Sequence, residues 1–267
     1  MTAPPPIPPA VLDAMERGRE YELPGGPDAV LLLHGLTGST FELHHLALRL
    51  AAAGYRCLAP VMAGHGGAPE DLVGVPWGEW VAKAGRDLAR LAGARRTFVA
   101  GCSMGALVAC ALAHEAPAQV DGLLLLAPAL ELTPAGRLAA ALGRRRAFRR
   151  VVVPKGSGSD VRDEAMRRRN PCLPGVPLAS VAELAGLAAH VTRIAPEVAA
   201  PALVVAGGQD HTVTLGGVRR LARRLGAGPE VLVLPESWHL VGVDVERERC
   251  ADAALAFLDA LPEPSQA

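Results

Sequence analysis

The sequence predicts an α/β protein in which a mostly parallel central sheet carries helices on both faces. Three observations point there. Short β-branched or leucine-rich runs alternate with longer segments of helical period, the order that builds parallel strands joined by crossover helices. The strand-like runs are continuously apolar, as strands covered on both faces are. A Gly-x-Ser-x-Gly pentapeptide also stands between one such run and a helical one. A chain of 267 residues is long enough to bury one substantial core with one excursion from it.

The N-terminal residues 1–19 begin Met1-Thr2-Ala3 and run into prolines. They lack the positive and continuous apolar regions of a secretory signal, and read as a short disordered lead-in. The core is expected over 20–130 and 197–262. Its strands are Ala29 to Leu33, Arg56 to Ala59, Thr97 to Ala100, Gly122 to Ala127, Ala202 to Ala206 and Val231 to Leu234, with Tyr21 to Leu23 as a further strand at the N-terminal edge. Leu43, Leu46 and Leu50 share one helical face, as do Trp77, Val81, Ala84, Leu88 and Leu91. A final helix from about Val245 to Ala260 buries Cys250, Ala254, Phe257 and Leu258. The alternation breaks after Ala127. Residues 131–196 hold Arg-rich helical pieces, a Gly-Ser run at 156–159, and the helical spacing of Val181, Leu184, Leu187 and Val191. That interval is expected to form a small helical cap over the strand ends. Leu138, Leu142, Phe148, Val151 and Val152 are its candidates for an acyl pocket, with packing of the cap itself as the plainer use.

Half the residues are apolar and a fifth are charged, a globular composition. No apolar run approaches the roughly 20 residues that span a bilayer, so no membrane span is expected. The zero formal charge argues against a nucleic-acid partner, which would call for a basic surplus. That zero is unevenly spread. Between Arg137 and Arg169 there are eleven Lys or Arg against three acids, so this stretch is net +8 and the remainder net −8. A solvated face explains it most simply; a bias toward anionic amphiphiles is the sharper reading. Cys57, Cys102, Cys110, Cys172 and Cys250 are odd in number and widely spaced. They read as reduced thiols of a cytoplasmic protein, with no metal-ligand spacing among them.

Gly101-Cys102-Ser103-Met104-Gly105 follows the strand Thr97 to Ala100 and opens the helical run Ala106 to Leu112. A serine on a sharp strand-to-helix turn is exposed to substrate, and Gly101 and Gly105 supply the small flanks such a turn demands. Chance yields about 0.08 such pentapeptides in a chain of this composition. A serine hydroxyl needs a base, and the base needs a third group to orient it. Asp210 follows the strand Ala202 to Ala206, and His239 follows Val231 to Leu234. Both therefore lie beyond strand C-termini, the edge at which open α/β sheets bind ligands. Glu131 is the fallback acid. An oxyanion hole would take its backbone N–H groups from Met104 and from Leu36, in the glycine-bearing turn after Leu33. His34 is expected to hydrogen-bond that turn; the remaining histidines, His65 and His211 among them, receive no role.

With these blocks in view the chain resembles the α/β-hydrolase superfamily, and within it bacterial carboxylesterases and monoacylglycerol lipases. The segments HGLTGS, GHGG (Gly64 to Gly67), GCSMG, GGQDHTV and ESWH stand in that family's order between about Ala29 and Leu261. Two details depart from it: Gly-His-Gly-Gly-Ala replaces a Gly-His-Gly-x-Ser block, and no proline follows soon after Asp210. The resemblance implies a cap between the sixth and seventh strands, a triad of Ser103, Asp210 and His239, oxyanion donors Leu36 and Met104, and no cofactor. It also implies hydrolysis of small-molecule carboxylic esters with short to medium acyl chains, monoacylglycerols among them. The same triad also serves thioester hydrolysis, carbon–carbon cleavage and acyl transfer, and a remote alternative is a non-catalytic ligand receptor on this scaffold. Oligomeric state is not legible.

Overall fold

The computed structural model describes residues 7–156 and 158–263. Its first element is a helix, α1 (Pro9–Glu16), where the sequence reading expected a disordered lead-in over 1–19; Met1 to Pro6 lie outside the described residues. The prolines that read as a breaker sit ahead of and at the first helical position, where a missing N–H forfeits no bond. Met15 anchors the helix in the core.

Seven strands then form one sheet in the order β1-β3-β2-β4-β5-β8-β9. They are β1 (Tyr21–Leu23), β2 (Asp28–Leu33), β3 (Arg56–Ala59), β4 (Arg96–Cys102), β5 (Gly122–Leu126), β8 (Ala202–Gly207) and β9 (Val231–Leu234). Only β1 runs antiparallel, against β3; every other pair is parallel. The helices are α2 (His44–Ala52), α3 (Trp77–Ala89), α4 (Met104–Glu115), α5 (Pro134–Gly143), α6 (Glu164–Arg169), α7 (Leu178–Ile194), α8 (Leu215–Arg224) and α9 (Arg247–Ala260).

Alternation along the strands divides the core into two layers. Leu31, Leu33, Val99, Leu123, Leu125 and Val204 face α3, α4, α7 and α8. Val30, Leu32, Phe98, Ala100, Leu124, Leu126 and Val205 face α1, α2 and α9. Side chains of successive residues leave a strand on opposite faces, so a continuously apolar strand such as Ala29 to Leu33 fills both layers. Trp80, Phe41 and Phe98 are the largest fully buried side chains, and burying one large apolar side chain contributes about 1.5–3 kcal/mol.

Between β5 and β8 the chain leaves the sheet. Here α5, α6 and α7 are accompanied by an antiparallel ribbon of β6 (Val152–Pro154) and β7 (Gly175–Pro177), which the helical reading of this interval did not include. Counted along the chain, the excursion falls between the fifth and sixth strands of the sheet, not the sixth and seventh. The higher count came with the family resemblance; the strands read from the residues themselves already number five before the excursion, Tyr21 to Leu23 included. With the turn at Ala195–Glu197, α7 makes a 20-residue stretch that by length and composition alone is long and apolar enough to cross a membrane, although Glu183, Arg193 and Glu197 interrupt its apolar run. In the fold it is packed on α3, α4 and α5.

Of the basic residues of this interval, Arg162 pairs with Glu236, Arg168 with Glu164, Arg169 with Glu16 and Arg137 with Glu131. Arg144, Arg145, Arg146, Arg149 and Arg150 are exposed. Cys57, Cys102, Cys110 and Cys250 are buried free thiols, and Cys172 is half-buried. Burial pushes the Cys110 and Cys250 thiols up to about 12.

Candidate active site

Because β2, β3, β4, β5, β8 and β9 are parallel, the loops leaving them converge at one edge of the sheet. Ser103 follows β4, Asp210 follows β8 and His239 follows β9. Ser103 sits at φ 54°, ψ −110°, a conformation that L residues avoid and that active sites often hold. The bend is possible because β4 and α4 touch at their glycines. A Cβ on Gly101 would lie 2.3 Å from the backbone of Gly105, and one on Gly105 would lie 2.0 Å from the Leu33 carbonyl oxygen.

Ser103 Oγ lies 2.9 Å from His239 Nε2, and His239 Nδ1 lies 2.7 Å from Asp210 Oδ2. The hydroxyl donates to Nε2, and Nδ1–H donates to the carboxylate. The other Asp210 oxygen accepts the N–H groups of Thr212 (2.7 Å) and Val213 (2.8 Å), which fixes the plane of the carboxylate. Burial opposes ionisation of Asp210, yet the His239 charge and these hydrogen bonds hold it below the ordinary carboxylate range. Burial likewise disfavours charged His239, but Asp210, with Asp160 and Glu42 behind it, raises its pKa overall. Such a relay can draw a proton from Ser103 and keep it on the imidazole. The fallback acid Glu131 instead faces Arg220 at 3.0 Å.

The turn after β2 offers one N–H to this site because its neighbours are occupied. Gly35 N–H donates to Glu42 Oε2 at 2.8 Å, and Thr37 N–H to His65 Nε2 at 3.0 Å. Leu36 N–H between them has no acceptor among the described residues, nor has Met104 N–H at the start of α4. His34 spans the same turn: its Nδ1–H donates to Gly35 O (2.9 Å) and its Nε2 accepts Met62 N–H (3.0 Å). His65 Nδ1–H donates to Ala63 O at 3.0 Å. Two histidines and one glutamate thus buttress the loop. Expectation had reached only His34, since the partners of His65 and Glu42 are backbone groups that no local spacing reveals.

Both histidines work as acceptors, so both must stay neutral. Burial and the nearby His65 push His34 down to about 3, and burial pushes His65 down to about 4. In the unfolded chain each takes a proton near 6.5, so the unfolded state binds more protons below that pH and stability falls as pH drops through 6.5 toward 4 and 3. The slope is at most about 1.4 kcal/mol per pH unit for each. Burial lowers His44, His45 and His190 as well, in the same direction. We expect urea midpoints to fall steadily between pH 7 and pH 4.5, and His65→Gln, whose amide oxygen accepts without titrating, to flatten that fall. Equal slopes for the two proteins would refute the role given to His65.

A cavity of about 440 Å³ opens over Ser103 and His239. Leu36, Val153, Val176, Val181, Leu184 and Leu240 supply its apolar wall. Of the five expected acyl-pocket residues none lines it: Leu138, Phe148 and Val151 are exposed. Helical phase is the reason in α5, which turns Ala135, Gly136 and Ala139 to the cavity and Leu138 away. Of the eleven basic residues Lys155 lines the cavity, and the arginines lie outside its wall.

A nucleophile-elbow serine after β4, an acid after β8 and a histidine after β9, all at one edge of a parallel sheet, define an α/β-hydrolase. The profile of the family described as "Serine aminopeptidase, S33" matches residues 27–246, and the chain belongs to that family. It is 29% identical over 237 residues to a thermostable monoacylglycerol lipase of Bacillus sp. (strain H-257), covering 87% of this chain and 90% of that protein. It is 25% identical over 247 residues to a carboxylesterase of Bacillus subtilis (strain 168), covering 91% and 97%. A solved structure from work on the metagenome-derived lipolytic enzymes LipS and LipT superposes with a TM-score of 0.82 at 26% identity, covering 91% of this chain and 98% of that one.

Proposed function

We propose that this chain is a serine hydrolase that cleaves carboxylic esters through an acyl-enzyme, with Ser103 as nucleophile, His239 as general base and acid, and Asp210 orienting the imidazole. The observation that carries the reading is the unbroken line of hydrogen bonds from Ser103 through His239 to Asp210. His239 Nε2 takes the hydroxyl proton as Ser103 Oγ attacks the ester carbonyl. The N–H groups of Leu36 and Met104 hold the oxyanion, helped by the positive end of α4. The imidazolium then gives its proton to the departing alcohol. Water, deprotonated by the same nitrogen, releases the acid and returns the proton to Ser103.

Residues 131–196 act in this reading as a cap, since α5, β6, β7 and α7 each contribute side chains to the cavity. Short to medium acyl chains suit a space of this size with an apolar wall, and monoacylglycerols follow from the lipase relative. A cytoplasmic setting is part of the proposal, supported by five free thiols. The test is a p-nitrophenyl ester series from acetate to palmitate beside monoacylglycerols, a matched thioester, a β-diketone and an aminoacyl anilide. The ester series should peak at short to medium length and exceed the anilide by at least about 10²-fold. Faster turnover of the thioester, the diketone or the anilide would move the assignment to that chemistry.

A further inference from the structure

The cap does more than roof the cavity, because one of its residues touches both loops that bear the triad partners of Ser103. Asp160 stands in the cap between β6 and α6, with 17% of its side chain exposed. Its Oδ2 accepts His211 N–H (3.1 Å) and Thr212 Oγ–H (3.0 Å), and its Oδ1 accepts His211 Nδ1–H (2.9 Å). His211 and Thr212 directly follow Asp210, and Thr212 N–H is itself one of the two backbone donors to Asp210 Oδ1. The Asp160 carbonyl accepts the N–H of Leu240, the residue after His239, at 3.2 Å. Four bonds from one cap residue therefore meet the loops of the acid and the base.

Neighbouring residues make the tie firm. Val161 is fully buried in the core layer that faces α9. Asp163 N–H donates to Oδ1 of the fully buried Asp244, whose Oδ2 accepts Trp238 N–H at 2.6 Å, one residue before His239. Arg162 donates to the Glu236 carbonyl at 3.0 Å.

We propose that Asp160 is a positioning residue of the active site: it clamps the Asp210 loop to the His239 loop from the cap, so that the acid meets the imidazole in register. The inference rests on the triad reading above. A charge at Asp160 also bears on His239. The groups facing that imidazole are Asp210 from its own loop, Asp160 from the cap and Glu42 from behind the Leu36 turn, with Lys155 acting on Glu42 from across the cavity. All three carboxylates favour the protonated imidazole. Removing the Asp160 charge thus lets His239 lose its proton more readily, and the acid limb of reactivity moves to lower pH.

The test follows the rate at which a fluorophosphonate labels Ser103 as a function of pH, in the full-length protein, because this reports the nucleophile without presuming a substrate. Asp160→Asn should lower the plateau rate by about tenfold or more, given that a misplacement of about 1 Å costs on the order of 10²-fold, and should shift the acid limb down. The doubly substituted His211→Ala/Thr212→Val protein keeps the carboxylate and loses two of its ties. Its plateau should fall while its acid limb does not move down, and it decides the matter if the Asn variant does not fold. Profiles of both variants that superpose on the wild type would overturn the proposal, as would a slower plateau with an unmoved limb in Asp160→Asn. Failure of the wild-type protein to label at all would instead remove the serine-hydrolase reading.

Discussion

Ser103→Ala should lower turnover of a p-nitrophenyl ester by about 10⁴- to 10⁶-fold, the cost of removing a triad nucleophile. The change is clean because the position already holds a non-glycine residue at φ 54° and alanine adds no atom. One hydrogen bond to His239 is lost, a net effect of about 1 kcal/mol, which for a domain of this size moves the melting temperature by roughly 2–4 °C. Activity assays beside calorimetry separate the two effects. Wild-type activity, or continued fluorophosphonate labelling of the variant, would show that another residue is the nucleophile.

Gly105→Ala should strike stability as hard as Ser103→Ala strikes chemistry. Its Cβ would lie 2.0 Å from Leu33 O, 2.6 Å from Leu33 C and 2.8 Å from His34 O. These are backbone atoms at the end of a central strand, and they cannot turn aside as a side chain does. Separating α4 from β2 would also open the turn that presents Leu36 N–H. A loss above about 4 kcal/mol is expected, a large part of the 5–15 kcal/mol that holds a typical domain together. The melting temperature should fall by about 8–16 °C, or the protein should be insoluble. Gly85→Ala in α3 is the matched control: the nearest atom to its Cβ is 3.8 Å away, and alanine should gain up to about 1 kcal/mol of helix propensity. Equal melting temperatures for the two variants would mean that the close approach at Gly105 is unimportant.

Strands were legible where burial on both faces left no choice of residue, as from Ala29 to Leu33 and from Gly122 to Leu126. Ser103, Asp210 and His239 were legible because each follows such a strand, so that chain order stood in for geometry. Other features depended on partners that are distant in sequence. His65 meets Thr37 across 28 residues and Asp160 meets Thr212 across 52; neither pairing leaves a periodicity. The β6–β7 ribbon is two strands of three residues each, separated by 20 residues, too short for any alternation to register. The apolar residues of the cap misled in another way. Leu138, Phe148 and Val151 have pocket chemistry, but helical phase and the turn at Arg146–Phe148 direct them to solvent. Smaller neighbours such as Ala135 and Ala139, which carry little signal, form the wall.

The five cysteines have a practical consequence. Four are sealed in the core, where thiolate formation is disfavoured, and Cys172 alone is partly accessible. It stands one residue from Leu173, whose N–H reaches across to the Thr37 carbonyl at 2.9 Å, a contact between the excursion that leaves the sheet after β5 and the turn bearing Leu36. A maleimide fluorophore would therefore attach to the native chain mainly at this seam. Its emission would give an optical report on this seam between the excursion and the Leu36 turn, with no cysteine added or removed.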